Sequence, residues 1–431
     1  MSMSEAPSRF ARFEFLGSAM FTNALVTAIV ATAASTFTLT RLIGWAGLIG
    51  VLSTLAVLAI CSGIMRRSTL DWQGLLPISL IAFLAWSALT IVWSQYQWVT
   101  LSGLLYQFVF ALLAVYIALT RDMIQIVRVF GNVLRFVLGS SLVLEVISGI
   151  LVDAPIRLLG IEGNIVTGEP VQGIVGDSTQ LGVLSLLAGV TFWIELSTRS
   201  VHRPTAFVSL GGAAFMVLLT HSTVITSVAG LLIIAGLVLT GIRSAKPEAR
   251  QPITWALLSA AFVTFVIGAI FRDRLLDAIQ GSDQLANKLG LWRQIQTTYI
   301  PINNLEGWGW IGKWNTDLVP FIAFRQVRGN DYASAYNTFI DVWFQVGLVG
   351  LVIFLGLVGL ALVRSWHLAV RQPSVVYLWP ALVLVGLVAL SITESVILVD
   401  FCWMVLVICV VKSANKLSWR LTFARIRPAI E

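Results

Sequence analysis

The sequence predicts an all-α protein that crosses a membrane about twelve times, and three observations predict it. Of its 431 residues 58% are hydrophobic and 11% are charged, less than half the charge of an average soluble domain. Apolar runs near the length a helix needs to cross the hydrocarbon core recur along the chain. Lysines and arginines collect in alternate connections between those runs. A mean hydropathy of +0.89 excludes disorder, collagen-like repeats and nucleic-acid-binding folds. No two-residue alternation suggests a β-barrel. The net charge of +7 is a matter of sidedness, because cations in membrane proteins are distributed by face of the bilayer.

The first run, 16–37, follows Arg9 and Arg12. With Ala31-Thr32-Ala33 it has the ingredients of a cleaved signal peptide, but it outruns a signal core, so an uncleaved first helix is expected. The second run, 42–64, ends at Arg66-Arg67, and the third is 75–94. The fourth, 101–120, ends at Arg121; Arg128 and Arg135 flank the entry of the fifth, 131–152, with Arg128 snorkelling to the surface. The sixth, 181–198, meets Arg199 and Arg203, and the seventh, 204–220, turns at His221. Arg243 through Arg250 follow the eighth, 224–242, and the ninth is 252–271. The tenth, 337–363, leads to Arg364 and Arg371. The eleventh and the short twelfth, 376–396 and 397–411, carry Glu394 and Asp400 around their hairpin, before a tail with Lys412 to Arg427. Ionisable groups this close to a bilayer are functional candidates, although these lie near span ends where structural hydrogen bonding explains them equally well.

With the N-terminus inside, 19 of the 28 cations fall inside and 9 outside. The expected organisation is then residues 1–271 with nine runs and an external loop 153–180, a large external loop 272–336, and residues 337–431 with three runs and a basic cytoplasmic tail. Both termini are then expected to be cytoplasmic and the two long loops extracytoplasmic.

Long loops in such a protein are usually functional. Within 272–336, residues 284–300 predict a helix, because Leu285, Leu289, Trp292, Ile295 and Tyr299 recur at helical spacing. That stripe fits the membrane surface or the underside of a lid. Trp292, Trp308, Trp310 and Trp314 read either as an interfacial belt or as a sugar-stacking surface. The glycines of Gly307-Trp308-Gly309-Trp310 imply a tight backbone turn. The loop cations Arg157, Arg272, Arg274, Lys288, Arg293, Lys313, Arg325 and Arg328 ask for an anionic ligand, or else for pairing with acids such as Asp177 and Asp317. Cys61, Cys402 and Cys409 lie in apolar runs and read as core residues. No phosphate-binding glycine loop, metal-ligand spacing or Ser-His-Asp pattern is present. The expectation is therefore metal-independent chemistry by positioned charge, without a cofactor.

The stretch from Ala335-Tyr336-Asn337 through Gln345-Val346-Gly347-Leu348-Val349-Gly350 resembles a signature of the O-antigen ligase and polymerase superfamily. There a large external loop ends in a His-Asn pair and runs into a span carrying Gly-x-x-Gly. Leu291-Trp292, Gly307-Trp308-Gly309-Trp310, Gly173 to Ser178 with Leu181-Gly182, and Leu218 to Ser222 are similar to further family elements. The resemblance implies a membrane glycosyltransferase of the GT-C type. Such an enzyme moves a glycan from an undecaprenyl pyrophosphate carrier to a glycan or lipid acceptor on the outer face. It implies Arg157, Lys288, Arg293, Arg325 and Arg328 as diphosphate binders, Trp308 and Trp310 along the sugar path, and Tyr336 or Asn337 orienting the acceptor. The chain departs from the family pattern at Tyr336, where the family has histidine, and at Lys288 and Thr223, where it has arginine. Arg157 and Gly168 match an arginine–glycine spacing of the polymerase branch. Two other readings stand beside a ligase or polymerase. One is a member that has lost catalysis and serves as a binding or assembly partner; the other is a transporter or flippase.

Overall fold

The computed structural model describes residues 17–67, 77–246, 248–254, 256, 257, 259, 263, 283–315, 317–328 and 332–416. These residues are helical throughout, apart from turns and one isolated bridge between Ile156 and Ile161. In chain order the helices are α1 (Ala19–Ala34), α2 (Thr36–Met65), α3 (Ile78–Leu89), α4 (Gln97–Thr120) and α5 (Met123–Val146). Then come α6 (Asn164–Thr167), α7 (Ser178–Thr198), α8 (Arg203–Leu219) and α9 (Thr223–Ser244). The last five are α10 (Asp283–Gln294), α11 (Phe321–Arg328), α12 (Thr338–Arg371), α13 (Leu378–Leu390) and α14 (Asp400–Lys416).

Local chemistry sets where these helices begin. The Ser18 hydroxyl accepts from the Phe21 amide at the start of α1, and the Ser222 hydroxyl accepts from the Ile225 amide at the start of α9. Asp122 and Gln125 form a capping box on α5. Each cap satisfies an amide that the first helical turn leaves without a partner.

The protein is an all-α, multi-pass membrane protein. Six helical segments are long and apolar enough to cross a bilayer: Thr36–Met65, Gln97–Thr120, Met123–Val152, Ser178–Thr198, Thr223–Ser244 and Thr338–Arg371. Four more are apolar but shorter: Ala19–Ala34, Ile78–Val92, Arg203–Leu219 and Val375–Leu390. Their outward faces confirm the environment. Trp45, Ile49, Val57 and Ile60 on α2, Ile233 and Leu237 on α9, and Val352 and Leu355 on α12 are all exposed. A helix apolar on its outer as well as its inner face suits lipid rather than water. At the centre, α14 packs against α4, α12 and α13, with Trp403, Leu406, Val407 and Ile408 buried. The buried indole nitrogens find acceptors, Trp403 on the Gln107 carbonyl at 3.1 Å and Trp379 on Thr191 at 3.0 Å.

Helix occupies eleven of the twelve apolar runs; the ninth, 252–271, lies largely outside the described residues, as do Arg272 and Arg274. Two boundaries need correction. Helix α5 starts at Met123, not at 131, so Arg135 sits well inside it rather than at its entry. There its guanidinium meets the buried Glu195 carboxylate of α7, Ser209 at 2.8 Å and Asn132 at 3.1 Å. The short last run, 397–411, is displaced to Asp400–Lys416.

Helix α12 is interrupted at Gly347, whose φ of 71° and ψ of −178° lie in a region that only glycine occupies readily. At about 1.5 Å per residue, the break falls ~14 Å into the helix from Thr338. The interruption strips nearby backbone groups of helical partners, and residues 304–309 of the long loop supply new ones. The Trp308 amide donates to the Phe344 carbonyl at 3.1 Å and the Gly309 amide to Gln345 at 2.8 Å. In return the Leu348 and Val349 amides donate to the Asn304 and Leu305 carbonyls at 2.8 and 3.3 Å. Trp86 donates from its indole to the Val346 carbonyl at 2.8 Å. Irregular backbone is thus hydrogen-bonded where lipid could offer nothing. The approach is close enough to require glycine on both sides. A Cβ on Gly347 would lie 2.1 Å from the Leu305 carbonyl oxygen, and one on Gly307 would lie 2.4 Å from the Gly347 nitrogen.

Candidate functional site

The docked loop, the start of α7 and the α13–α14 connection enclose a cavity of about 590 Å³. Ala33, Ala34, Val183, Leu184, Val396, Val399 and Phe401 give it an apolar wall. Thr179, Gln180, Asn287, Tyr332, Ser334, Tyr336 and Ser395 add polar groups, and Asp177, Lys288, Lys313, Glu394 and Asp400 add charge. The last five are two lysines against three carboxylates, a formal balance of −1. A chamber part apolar and part charged suits an amphipathic ligand.

Each lysine is already engaged. The Lys288 ammonium lies 2.6 Å from Glu394 Oε1, donates to the Thr393 carbonyl at 3.1 Å and sits 4.9 Å from the centre of the Tyr336 ring. The Lys313 ammonium lies 2.8 Å from Asp400 Oδ2, and the other oxygen of that carboxylate accepts the Tyr106 hydroxyl. Both lysines are therefore paired with acids, but with Glu394 and Asp400 of the last hairpin and not with the loop acids that the sequence offered as partners. Burial pushes the Glu394 carboxyl above the usual carboxylate range; Lys288 opposes the shift and Asp177 adds to it. Burial likewise pushes the Tyr336 phenol up, reinforced by Glu394, Asp177 and Tyr332. A phenol held neutral is a hydrogen-bonding group and not a base.

Backbone strain marks the same place. Of five non-glycine residues with left-handed backbone among the described residues, Tyr336 (φ 51°) and Asp400 (φ 53°) both line this cavity. That conformation costs roughly 1–2 kcal/mol per residue, and such strain collects at functional sites.

Two buried side chains of α12 hold the loop in register. The Gln345 carbonyl oxygen accepts the Ile311 and Gly312 amides at 2.9 and 3.0 Å, and its nitrogen donates to the Gly312 carbonyl at 3.1 Å. Asp341 accepts from Gln345 at 2.8 Å, the Trp314 indole at 2.8 Å and the Ala335 amide at 3.3 Å. The clamp grips the chain just before Lys313 and just before Tyr336.

Of the residues the sequence nominated, Lys288 and Tyr336 meet at the cavity. Asn337 does not line it; its side chain caps α12, accepting from Phe339 and Ile340 at 3.0 Å and donating to the Ile392 carbonyl at 2.8 Å. Trp308 and Trp310 are buried and stand away from the cavity. The Trp308 indole donates to the Tyr299 carbonyl at 3.2 Å, and the Trp310 ring packs edge-on against Phe83. They anchor the docked loop, so the structure gives them no sugar-stacking face. Arg157 and Arg293 are exposed and lie outside the cavity wall. Arg325 and Arg328 belong to α11, and their side chains lie outside the described residues.

Sequence reasoning left Asp177, Lys313, Glu394 and Asp400 out of the nominated set. Glu394 and Asp400 did carry a signal, as acids bracketing an apolar hairpin, but their lysine partners lie about a hundred residues away in sequence. Among the described residues no cluster of three or more His, Cys, Asp or Glu could hold a metal ion. In comparison with known proteins, no family model matches this chain and no curated protein matches it.

Proposed function

We propose that this chain is a membrane glycosyltransferase that moves a glycan from an undecaprenyl-diphosphate-type carrier to a glycan or lipid acceptor. It would act at the extracytoplasmic face of a bacterial inner membrane, as a polysaccharide ligase or polymerase on a twelve-span, GT-C-like fold. The observation that carries the reading is the cavity itself. An apolar wall beside two lysines and a half-buried glutamate is what an amphipathic diphosphate donor and a hydroxyl acceptor require. The resemblance of Tyr336 to Gly350 and of the Gly-Trp-Gly-Trp turn to the O-antigen ligase and polymerase superfamily supports the same reading.

In this mechanism Lys288 and Lys313 hold the diphosphate, whose negative charge grows as it leaves. The acceptor oxygen attacks the anomeric carbon, and the bond from that carbon to the diphosphate oxygen breaks with its electron pair. The acceptor proton passes to the Glu394 carboxylate. A carboxyl raised above its ordinary range is better matched to that task near neutral pH. The displacement inverts the anomeric centre of an α-linked donor.

The test is transfer from a lipid-linked glycan by purified protein in liposomes. Lys288→Ala and Glu394→Gln should each lower the rate by about 10²-fold or more. Wild-type activity should rise with pH through a value above the ordinary carboxylate range, because the base must be ionised. No transfer by the wild type, with unchanged glycan display in cells carrying Lys288→Ala, would reject the reading.

One alternative has its own support. Tyr336 stands in the family's histidine position and both lysines are internally paired, which also fits a non-catalytic binding or assembly partner of surface-polysaccharide synthesis. Tyr336→His separates the two: increased transfer marks a site that has decayed, and decreased transfer marks a tyrosine with its own role.

A further inference from the structure

We infer that Glu394 and Asp400 occupy the two cavity lysines as internal stand-ins for a ligand anion, so that a diphosphate binds by exchange rather than by filling an open cationic site. The inference rests on the proposed reading of the cavity and adds what controls access to it.

A count of donors supports this. The Arg135 guanidinium spends three of its five N–H donors, on Glu195, Ser209 and Asn132, and is backed by the Phe192 ring. Both cavity lysines likewise keep unspent donors, and Lys313 is the less completely held of the two. An ammonium has three donors; Lys288 gives one to Glu394 and one to the Thr393 carbonyl, and Lys313 gives one to Asp400. The remaining donors belong to ammonium groups on the cavity wall, where a ligand oxygen can reach them. Lys313 is also 49% exposed at its side chain, so solvent screens its attraction to Asp400.

The carboxylates stay in place when the lysines turn away. Asp400 keeps its bond from the Tyr106 hydroxyl, and Glu394 sits on the short connection whose Thr393 and Glu394 amides are tied to Leu390. Moving a lysine stem is enough, because an ammonium is a point charge on a flexible chain and needs no fixed fork. The exchange is driven by attraction, because a diphosphate carries more negative charge than the single carboxylate it replaces at each ammonium.

Two consequences follow. A cavity with a formal balance of −1 can take an anion, because its carboxylates give up their partners as the anion arrives. Glu394 is also released as a base only after the anion has taken Lys288, which places donor before acceptor.

Pyrophosphate titration of the full-length protein in detergent tests this, using Glu394→Gln, Asp400→Asn and Lys288→Met. Removing the competitor should tighten inorganic pyrophosphate by about tenfold, ~1.4 kcal/mol, in each of the first two variants. Lys288→Met should weaken it. Asn suits the left-handed backbone at position 400, so that variant keeps the test alive if Glu394→Gln fails to fold. Unchanged or weaker binding in folded Glu394→Gln and Asp400→Asn overturns the inference, as does no binding by any form. Failure of glycan transfer by the wild type, alongside tighter pyrophosphate binding in the two variants, would instead count against the proposed function alone.

Discussion

Asn337 shows at the scale of one residue how a motif position can carry architecture instead of chemistry. The Tyr336-Asn337 pair stands where the resembling family has His-Asn, yet the Asn337 side chain is spent on two amides of α12 and one carbonyl of the α13–α14 connection. Asn337→Ala should therefore lower stability by about 1–2 kcal/mol, the usual cost of losing such a cap, measured as a drop in Tm in detergent. A drop in transfer without loss of stability would show instead that the side chain acts in the reaction. The spacing told in advance that residue 337 begins a helix; it could not tell where the carboxamide points. Lys288 was legible as a cation of a long loop, whereas its carboxylate partner was not, because nothing local ties residue 288 to residue 394.

At the scale of elements, the break in α12 and the turn at Gly307 form one unit. The sequence announced a tight turn in Gly-Trp-Gly-Trp and a helix through Gly347. It could not announce that the two touch, because the contact is backbone to backbone and leaves no side-chain pattern. Gly347→Ala adds a Cβ 2.1 Å from a carbonyl oxygen at a backbone angle reserved for glycine. It should cost more than ~2 kcal/mol and speed amide exchange across residues 304–312. Gly356→Ala, where a Cβ meets nothing within 4 Å, is the matched control. Helix starts were the least legible boundaries for a similar reason. The first turns of α5 carry Gln125 and Arg128, so the apolar count sees that helix eight residues late.

For the whole molecule, the sorted cations make a claim about sidedness. Single cysteines at Leu158 and Leu305, both exposed on the long loops, should react with an impermeant maleimide added to intact cells or spheroplasts. One at Ser374, in the exposed α12–α13 turn, should react only after lysis. The reverse pattern would invert the proposed orientation. All-helical character and membrane environment were readable from hydropathy because lipid demands it of every outward face. The cavity was not, since it is assembled from α1, α2, α7, α10, α14, three loop segments and the α13–α14 connection. The docked loop also bears on how the chain is made. Residues 304–309 leave the ribosome before Gly347 does, so the partners that the interrupted helix needs have already been synthesised when that helix enters the bilayer. A circular permutant that delivered α12 first would leave bare carbonyls in lipid during synthesis, and quality-control proteolysis would act on it before any question of activity arose.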